Sequence, residues 1–145
     1  MGELLERKIS KEKGSFKSPI KIEIQDNKIC SAFAGRYFRN VKNTESPEWL
    51  KNKLKSIGLR PISALVDITN FVMYDENRPL HVYDADKING KIIVRKANDG
   101  ESFLALDEKD YQLKNGMCVI ADEKKVLGLG GIMGGESTGC STETK

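Results

Sequence analysis

Asp75-Glu76-Asn77-Arg78-Pro79-Leu80-His81-Val82-Tyr83-Asp84 is the stretch at which the chain changes character. Upstream of it apolar residues recur at helical spacing. Downstream they fall in short extended runs broken by Asn-Gly and Asp-Gly turns. The first half of the stretch stops a helix, because proline has no N–H to donate and restricts the residue before it. Helices on one side and strands on the other make an α+β fold.

Working upstream, Leu65, Ile68 and Val72 stand at i, i+3 and i+7 within Ser63 to Met73. This spacing predicts a helix that begins near Pro61 and Ser63, although the β-branched content competes for a strand. A second helix is predicted over residues 47–57. Ser46 can cap it, Pro47 fits its first turn, Trp49, Leu50, Leu54 and Ile57 follow at helical spacing, and Gly58 ends it. Further back, Ile20, Ile22 and Ile24 alternate with Lys21 and Glu23 as in a half-buried strand. Ala32 to Val41 reads as another extended segment carrying Phe33, Tyr37 and Phe38. Residues 1–18 form a charged lead-in in which Leu4, Leu5 and Ile9 fit one face of a short helix.

Downstream, extended runs are expected at Leu80 to Tyr83, Lys91 to Ala97, Ser102 to Leu106, Met117 to Ala121 and Val126 to Leu129. The expectation is one α+β domain over residues 19–145, with short strands in mixed or antiparallel sheets and two or three helices. A composition of 39% hydrophobic and 31% charged residues over 145 residues agrees with a packed globular chain. A net charge of +3 tolerates a nucleic-acid partner without demanding one.

Composition also removes several chemistries. With His81 as the single histidine, a zinc site built from two histidines is excluded, and any histidine acid or base must be this residue. Cys30, Cys118 and Cys140 are odd in number and never spaced as CxxC. No disulfide framework or cysteine-rich zinc site is therefore expected, and a reducing cytoplasm is the expected compartment. No apolar stretch approaches the ~20 residues of a membrane span, and the start of the chain lacks a signal-peptide core.

Each candidate site has a plain structural reading beside the functional one. Five glycines between Gly128 and Gly135 lack the Gly-Lys-Ser/Thr ending of a phosphate loop and the spacing of a dinucleotide fingerprint. They either allow close backbone packing or form a wall free of side chains against which a flat substrate rests. His81 alone is better explained as a structural histidine with a carbonyl partner than by catalysis, and Asn70 and Thr69 alone as capping or turn-fixing residues. Asp67, Asp84 and Asp86 could form a carboxylate or metal site, the weakest of these readings. Lys51, Lys53, Lys55 and Arg60 form a basic face, solvated or directed at phosphate.

Taken together, Ser46-Pro47-x-Trp49-Leu50, Gly58-Leu59-Arg60-Pro61-Ile62, Val66-Asp67-Ile68-Thr69-Asn70-Phe71-Val72-Met73, Pro79-Leu80-His81-x-Tyr83-Asp84, Ile93-Val94-Arg95, Gly100-Glu101, Leu106-Asp107 and Gly131-Ile132-Met133-Gly134-Gly135-x-Ser137 resemble the B3/B4 region of the bacterial-type phenylalanyl-tRNA synthetase β subunit. The resemblance runs from about Ile20 to Lys145. It implies an editing site that hydrolyses tyrosine mistakenly attached to tRNA(Phe). His81 and Asn70 would be the catalytic residues, Thr69 and Glu136 would line the substrate pocket, and Gly134 with Gly135 would form its glycine wall. Val82-Tyr83 stands where the family more often has Ala-Phe, and Glu108 where a glycine commonly follows Leu106-Asp107. The family's glutamate for the tyrosine hydroxyl is expected just downstream of Lys145.

The implied partners are the acceptor end of tRNA(Phe), the synthetase α subunit and the remaining β-subunit domains, with no membrane. No metal and no cofactor are implied for this chain, since ATP and magnesium belong to the full synthetase. The competing expectation is a non-catalytic module that binds RNA or the synthetase. A further alternative is a metal-dependent hydrolase using Asp84 and Asp86.

Overall fold

The structure, a computed structural model, describes residues 10–145. The expected helical face of Leu4, Leu5 and Ile9 lies outside them. The elements run β1 (Ile22–Ile24), α1 (Glu48–Ser56), α2 (Ala64–Glu76), β2 (Ile92–Lys96), β3 (Ser102–Leu104), β4 (Asp110–Gln112), β5 (Cys118–Ala121), β6 (Val126–Leu129) and β7 (Met133–Gly134), with 3-10 turns at Ala85–Lys87 and Glu136–Thr138. Five strands form one mixed sheet in the order β1-β2-β5-β6-β7. Among the described residues only the β1–β2 pair is parallel, and β3 and β4 form a separate antiparallel pair. The α+β expectation holds, with two α-helices among the described residues.

Strand alternation places apolar side chains on both faces of the large sheet. Val119 and Ile120 are neighbours on β5 and therefore point to opposite sides. Val119 joins Ala97, Phe103, Ala105, Leu113 and Val126 in one cluster. Ile120 joins Ile92 and Val94 in the other, against which Ile22, Ile24, Phe33 and Tyr83 pack. Phe33 and Tyr83 show why two expected strands are not strands. Their rings are drawn onto the cluster, but among the described residues the backbones of 32–41 and 80–83 have no neighbouring strand to bond, and both segments are irregular. Two short strands, β4 and β7, escape the sequence reading because one is polar and the other ends in glycine.

α1 and α2 form a hairpin. Leu50 and Leu54, each 1% exposed, give α1 its buried stripe, and burying a leucine is worth about 1.5–3 kcal/mol. Trp49 meets Phe71 of α2 edge-on, at 5.7 Å between ring centroids. Ser46 does not cap α1. Pro47 occupies the N-cap position, and the Ser46 hydroxyl donates instead to Asp67 Oδ2 at 2.5 Å. Asp67 is fully buried on α2 and also accepts the Ile62 N–H at Oδ1 (2.8 Å). A buried carboxylate must be met by donors, and these two fasten the start of α1 and the entry to α2 onto one side chain. Ser63 stands at the N-cap of α2 without capping it. The first N–H groups bond to the Thr44 carbonyl (2.8 Å) and to Asn43 Oδ1 (3.1 Å). Asn43 Nδ2 in turn donates to the Ser141 carbonyl, tying the hairpin to the far end of the chain. α2 continues to Glu76, past the expected Met73, and ends where Asn77 adopts a left-handed conformation (φ 51°).

The turn between β2 and β3 is held by a two-pronged ion pair, Arg95 Nη1 and Nη2 to Glu101 at 2.8 and 2.7 Å. Glu101 also accepts the Asn98 N–H at 2.8 Å. Hydrogen bonding to Arg95 is the main cause that holds the Glu101 carboxyl down at about 2.

Two outcomes are expected. Asp67→Ala leaves the Ser46 hydroxyl and Ile62 N–H unpaired, costing about 2–3 kcal/mol in urea unfolding, whereas Glu143→Ala on the surface stays within about 0.5 kcal/mol. Because the folded-state pKa of Glu101 is depressed, its contribution is present above pH ~4.5 and is lost as pH falls toward 2. Glu101→Gln therefore destabilises by about 1 kcal/mol at pH 7, a value kept small by solvent, and the difference from the parent chain closes between pH 4.5 and 2.

Candidate functional site

Two strands that approach unusually closely create the site. Gly128 of β6 pairs with Gly134 of β7, and the Gly135 N–H donates to the Leu127 carbonyl at 2.7 Å. A Cβ on Gly135 would lie 2.6 Å from that carbonyl oxygen, so Gly135 is buried against backbone. Gly134 looks the other way. A Cβ there would overlap His81 Cε1 and stand 3.0 Å from both His81 Nε2 and Leu106 Cδ1. Leu106 is fixed at that position by its own N–H, which donates to the Gly134 carbonyl at 3.0 Å.

His81 thus lies with one edge of its imidazole against bare backbone. Tyr83 meets it from the side, ring centroids 4.4 Å apart. The imidazole is open to solvent along part of its surface, yet the protein atoms around it disfavour its charged form and lower its pKa below 6.5. At neutral pH it is an uncharged ring that can donate through one nitrogen and accept through the other. Burial pushes the Tyr83 hydroxyl up to about 12, so Tyr83 serves as an uncharged flank.

The loop carrying His81 is pinned on its far side by Asp84, which is 7% exposed. Its N–H donates to the Thr138 carbonyl at 2.9 Å, and its carboxylate accepts the Thr144 hydroxyl at Oδ2 (2.8 Å) and the Asp86 N–H at Oδ1 (3.1 Å). Lys87 adds a bond to the Gly139 carbonyl at 2.7 Å. The Asp84 carboxylate, weighed above as a metal ligand with Asp86, is occupied in joining residues 84–87 to 138–144.

The sequence-derived site residues divide into two groups. His81 and Gly134 come together. Gly135 supports the wall from behind without facing the imidazole. Glu136 is exposed and opens the following 3-10 turn, where it borders a surface hollow of about 270 Å³ with Ser102, Lys125 and Ser137. Asn70 and Thr69 ride on α2. The Thr69 hydroxyl donates to the Val66 carbonyl of its own helix (2.7 Å), and among the described residues no hydrogen bond joins Asn70 to His81. Sequence reading overlooked Leu106 and Tyr83 as walls. The signal available for Tyr83 was its place two residues beyond His81, on the same side of an extended segment.

Residues 29–145 match the family model of the B3/4 domain. The chain is 54% identical over 144 residues to the phenylalanine–tRNA ligase beta subunit of Bradyrhizobium diazoefficiens, covering 99% of this chain and 18% of that protein. It is 51% identical to the corresponding subunit of Rhodopseudomonas palustris, with the same coverage. The chain therefore spans about a fifth of the length of these relatives. Its fold is shared with an N-terminal fragment of the phenylalanyl-tRNA synthetase beta-subunit from Pyrococcus horikoshii, with a TM-score of 0.59 at 17% identity, over 93% of this chain and 43% of that one. Among the described residues no helix is long and apolar enough to cross a membrane. With the match covering both the α-helical hairpin and the His81–Gly134 wall, the chain belongs to the B3/4 domain family and is similar throughout to the phenylalanine–tRNA ligase beta subunit.

Proposed function

We propose that this B3/4 domain hydrolyses the ester of tyrosine mistakenly joined to tRNA(Phe), within a phenylalanine–tRNA ligase whose other parts supply ATP-dependent aminoacylation. The observation carrying the proposal is the neutral His81 imidazole laid against the Cβ-free Gly134, between Leu106 and Tyr83. The missing Cβ at Gly134 lets the His81 imidazole lie directly against the strand, and an aminoacyl ester needs an aligned water. His81 orients that water. Its oxygen attacks the carbonyl carbon, the bond to the ribose oxygen breaks, and the ribose hydroxyl leaves with the proton. The neutral His81 ring, which can donate through one nitrogen, would stabilise the intervening oxyanion. No covalent nucleophile, nucleotide or metal enters this route.

Asn70 on α2 and Glu136 on the 3-10 turn would complete the pocket around the bound acceptor end. The partners are the acceptor end of the tRNA, the remaining beta-subunit domains and the α subunit, in the cytoplasm. The absence of a bond between Asn70 and His81 favours a second reading, a module that binds RNA or synthetase without cleaving. Single-turnover deacylation separates the two readings, using Tyr-tRNA(Phe) and Phe-tRNA(Phe) with this chain and with a complete beta subunit in its synthetase. Release selective for tyrosine supports hydrolysis. No release by either preparation leaves only the binding module.

Gly134→Val should fill the space against His81 and Leu106 and lower tyrosine release about 100-fold, since displacing a positioned group by about 1 Å is enough for such a loss. The rate should also fall as pH drops through the pKa of His81, with a midpoint below 6.5 because its neutral form is the working one. His81→Gln should abolish that acidic limb, as read from the pH–rate profile.

A further inference from the structure

Charge is distributed unevenly along this chain. Residues 11–42 hold eight Lys and Arg against three Asp and Glu, a net +5 in a chain whose total is +3. Two of the three carboxylates, Glu23 and Asp26, are taken up by Lys91, just before β2, and by Lys96 at its end. Among the described residues none of the eight cations is paired with a carboxylate.

Aromatic rings are interleaved with these cations. The Arg39 guanidinium stands over the Phe16 ring at 4.2 Å from its centroid, and Phe16 meets Tyr37 edge-on at 6.1 Å. Arg36 lies 5.8 Å from the centre of Phe38 and donates to the Glu12 carbonyl at 3.0 Å, fastening residues 10–17 to 33–39. Cation–π pairs alone would explain a strap holding itself together. Even with Arg36 over it, Phe38 remains a large apolar ring left 63% exposed among unneutralised cations. An open ring beside phosphate-binding cations is the equipment for stacking an unpaired base while its backbone is neutralised.

The position of the strap fits that use. Phe33, inside the same segment, packs on the sheet face that also receives Tyr83, the ring flanking His81. A strand following residues 33–39 therefore runs on the same face as the His81 loop.

We infer that residues 16–42 form a binding surface for single-stranded RNA, with Phe38 stacking one base and Lys17, Arg36, Arg39 and Lys42 neutralising the backbone. The inference rests on the reading above in taking an RNA-borne substrate, and it adds where the unpaired strand is gripped. The test is an anisotropy titration of the full chain with a fluorescein-labelled ten-nucleotide single-stranded RNA and with a duplex of equal length, between 50 and 200 mM salt. Phe38→Ala should weaken single-strand binding by about five-fold or more and leave the duplex little affected. Lys17→Gln with Arg39→Gln should flatten the slope of log affinity against log salt by about 1.4, at about 0.7 per lost phosphate contact. The control pair Lys114→Gln with Lys124→Gln, outside the strap, should change neither quantity.

Circular dichroism checks that each variant is folded, and the exposed positions make a folding defect separable from a binding defect. Equal affinity and slope in parent and variants overturn the inference. So does absence of measurable binding, or displacement of the RNA by phosphatidylserine vesicles at lower concentration than by unlabelled RNA. Strand binding that depends on Phe38 without any deacylation would overturn the hydrolytic reading alone, and deacylation with binding indifferent to Phe38 would overturn this inference alone.

Discussion

No side chain fits between β6 and β7. A Cβ on Gly128 would stand 2.7 Å from the Met133 carbonyl oxygen, and one on Gly135 would press equally on that of Leu127. This close approach is possible only with glycine on both strands, and it brings β7 under His81. With alanine at either place the strands must part, and the bond from the Leu106 N–H to the Gly134 carbonyl moves with them. The structural and functional readings of the glycine-rich run are therefore two sides of one ribbon. Its inner side packs backbone on backbone, and its outer side receives the His81 imidazole.

Around this ribbon, irregular segments are held by single polar side chains that each gather several donors. Asp84 joins the His81 loop to residues 138–144, Asp67 fastens both helix starts, and Asn43 bonds α2 on one side and Ser141 on the other. Such ties suit loops, where the backbone lacks a ladder and orphan N–H groups must find oxygen elsewhere. They also account for several of the residues that carry the family resemblance. Ser46 with Asp67 and Arg95 with Glu101 are bonded partners of the architecture, placed away from the His81 wall.

Both helices and most strands were legible because they are written in apolar spacing, which is local. What could not be read were relations between residues far apart. Ser46 carries every mark of a helix cap, yet Asp67, 21 positions on, competes for its hydroxyl and wins, because a buried carboxylate left without donors costs more than an uncapped helix end. Phe33 and Tyr83 looked like strand residues because they do alternate toward a core. The missing element was a neighbouring backbone, which no local pattern reports. His81 and Gly134, joined in the sequence by the family resemblance alone, lie against each other in the fold. Leu106 and Tyr83 became visible only once β3 and the His81 loop were folded onto β7.

The parallel pairing of β1 with β2 has a consequence for the order of events during synthesis. Ile22 faces Ile92, so β1 emerges from the ribosome with 70 residues still to come before its partner exists, whereas β5, β6 and β7 follow one another through short connections. Contacts of such long separation form late. The hairpins that build the glycine wall can assemble among themselves, and β1 closes the sheet from its edge as the last arrival.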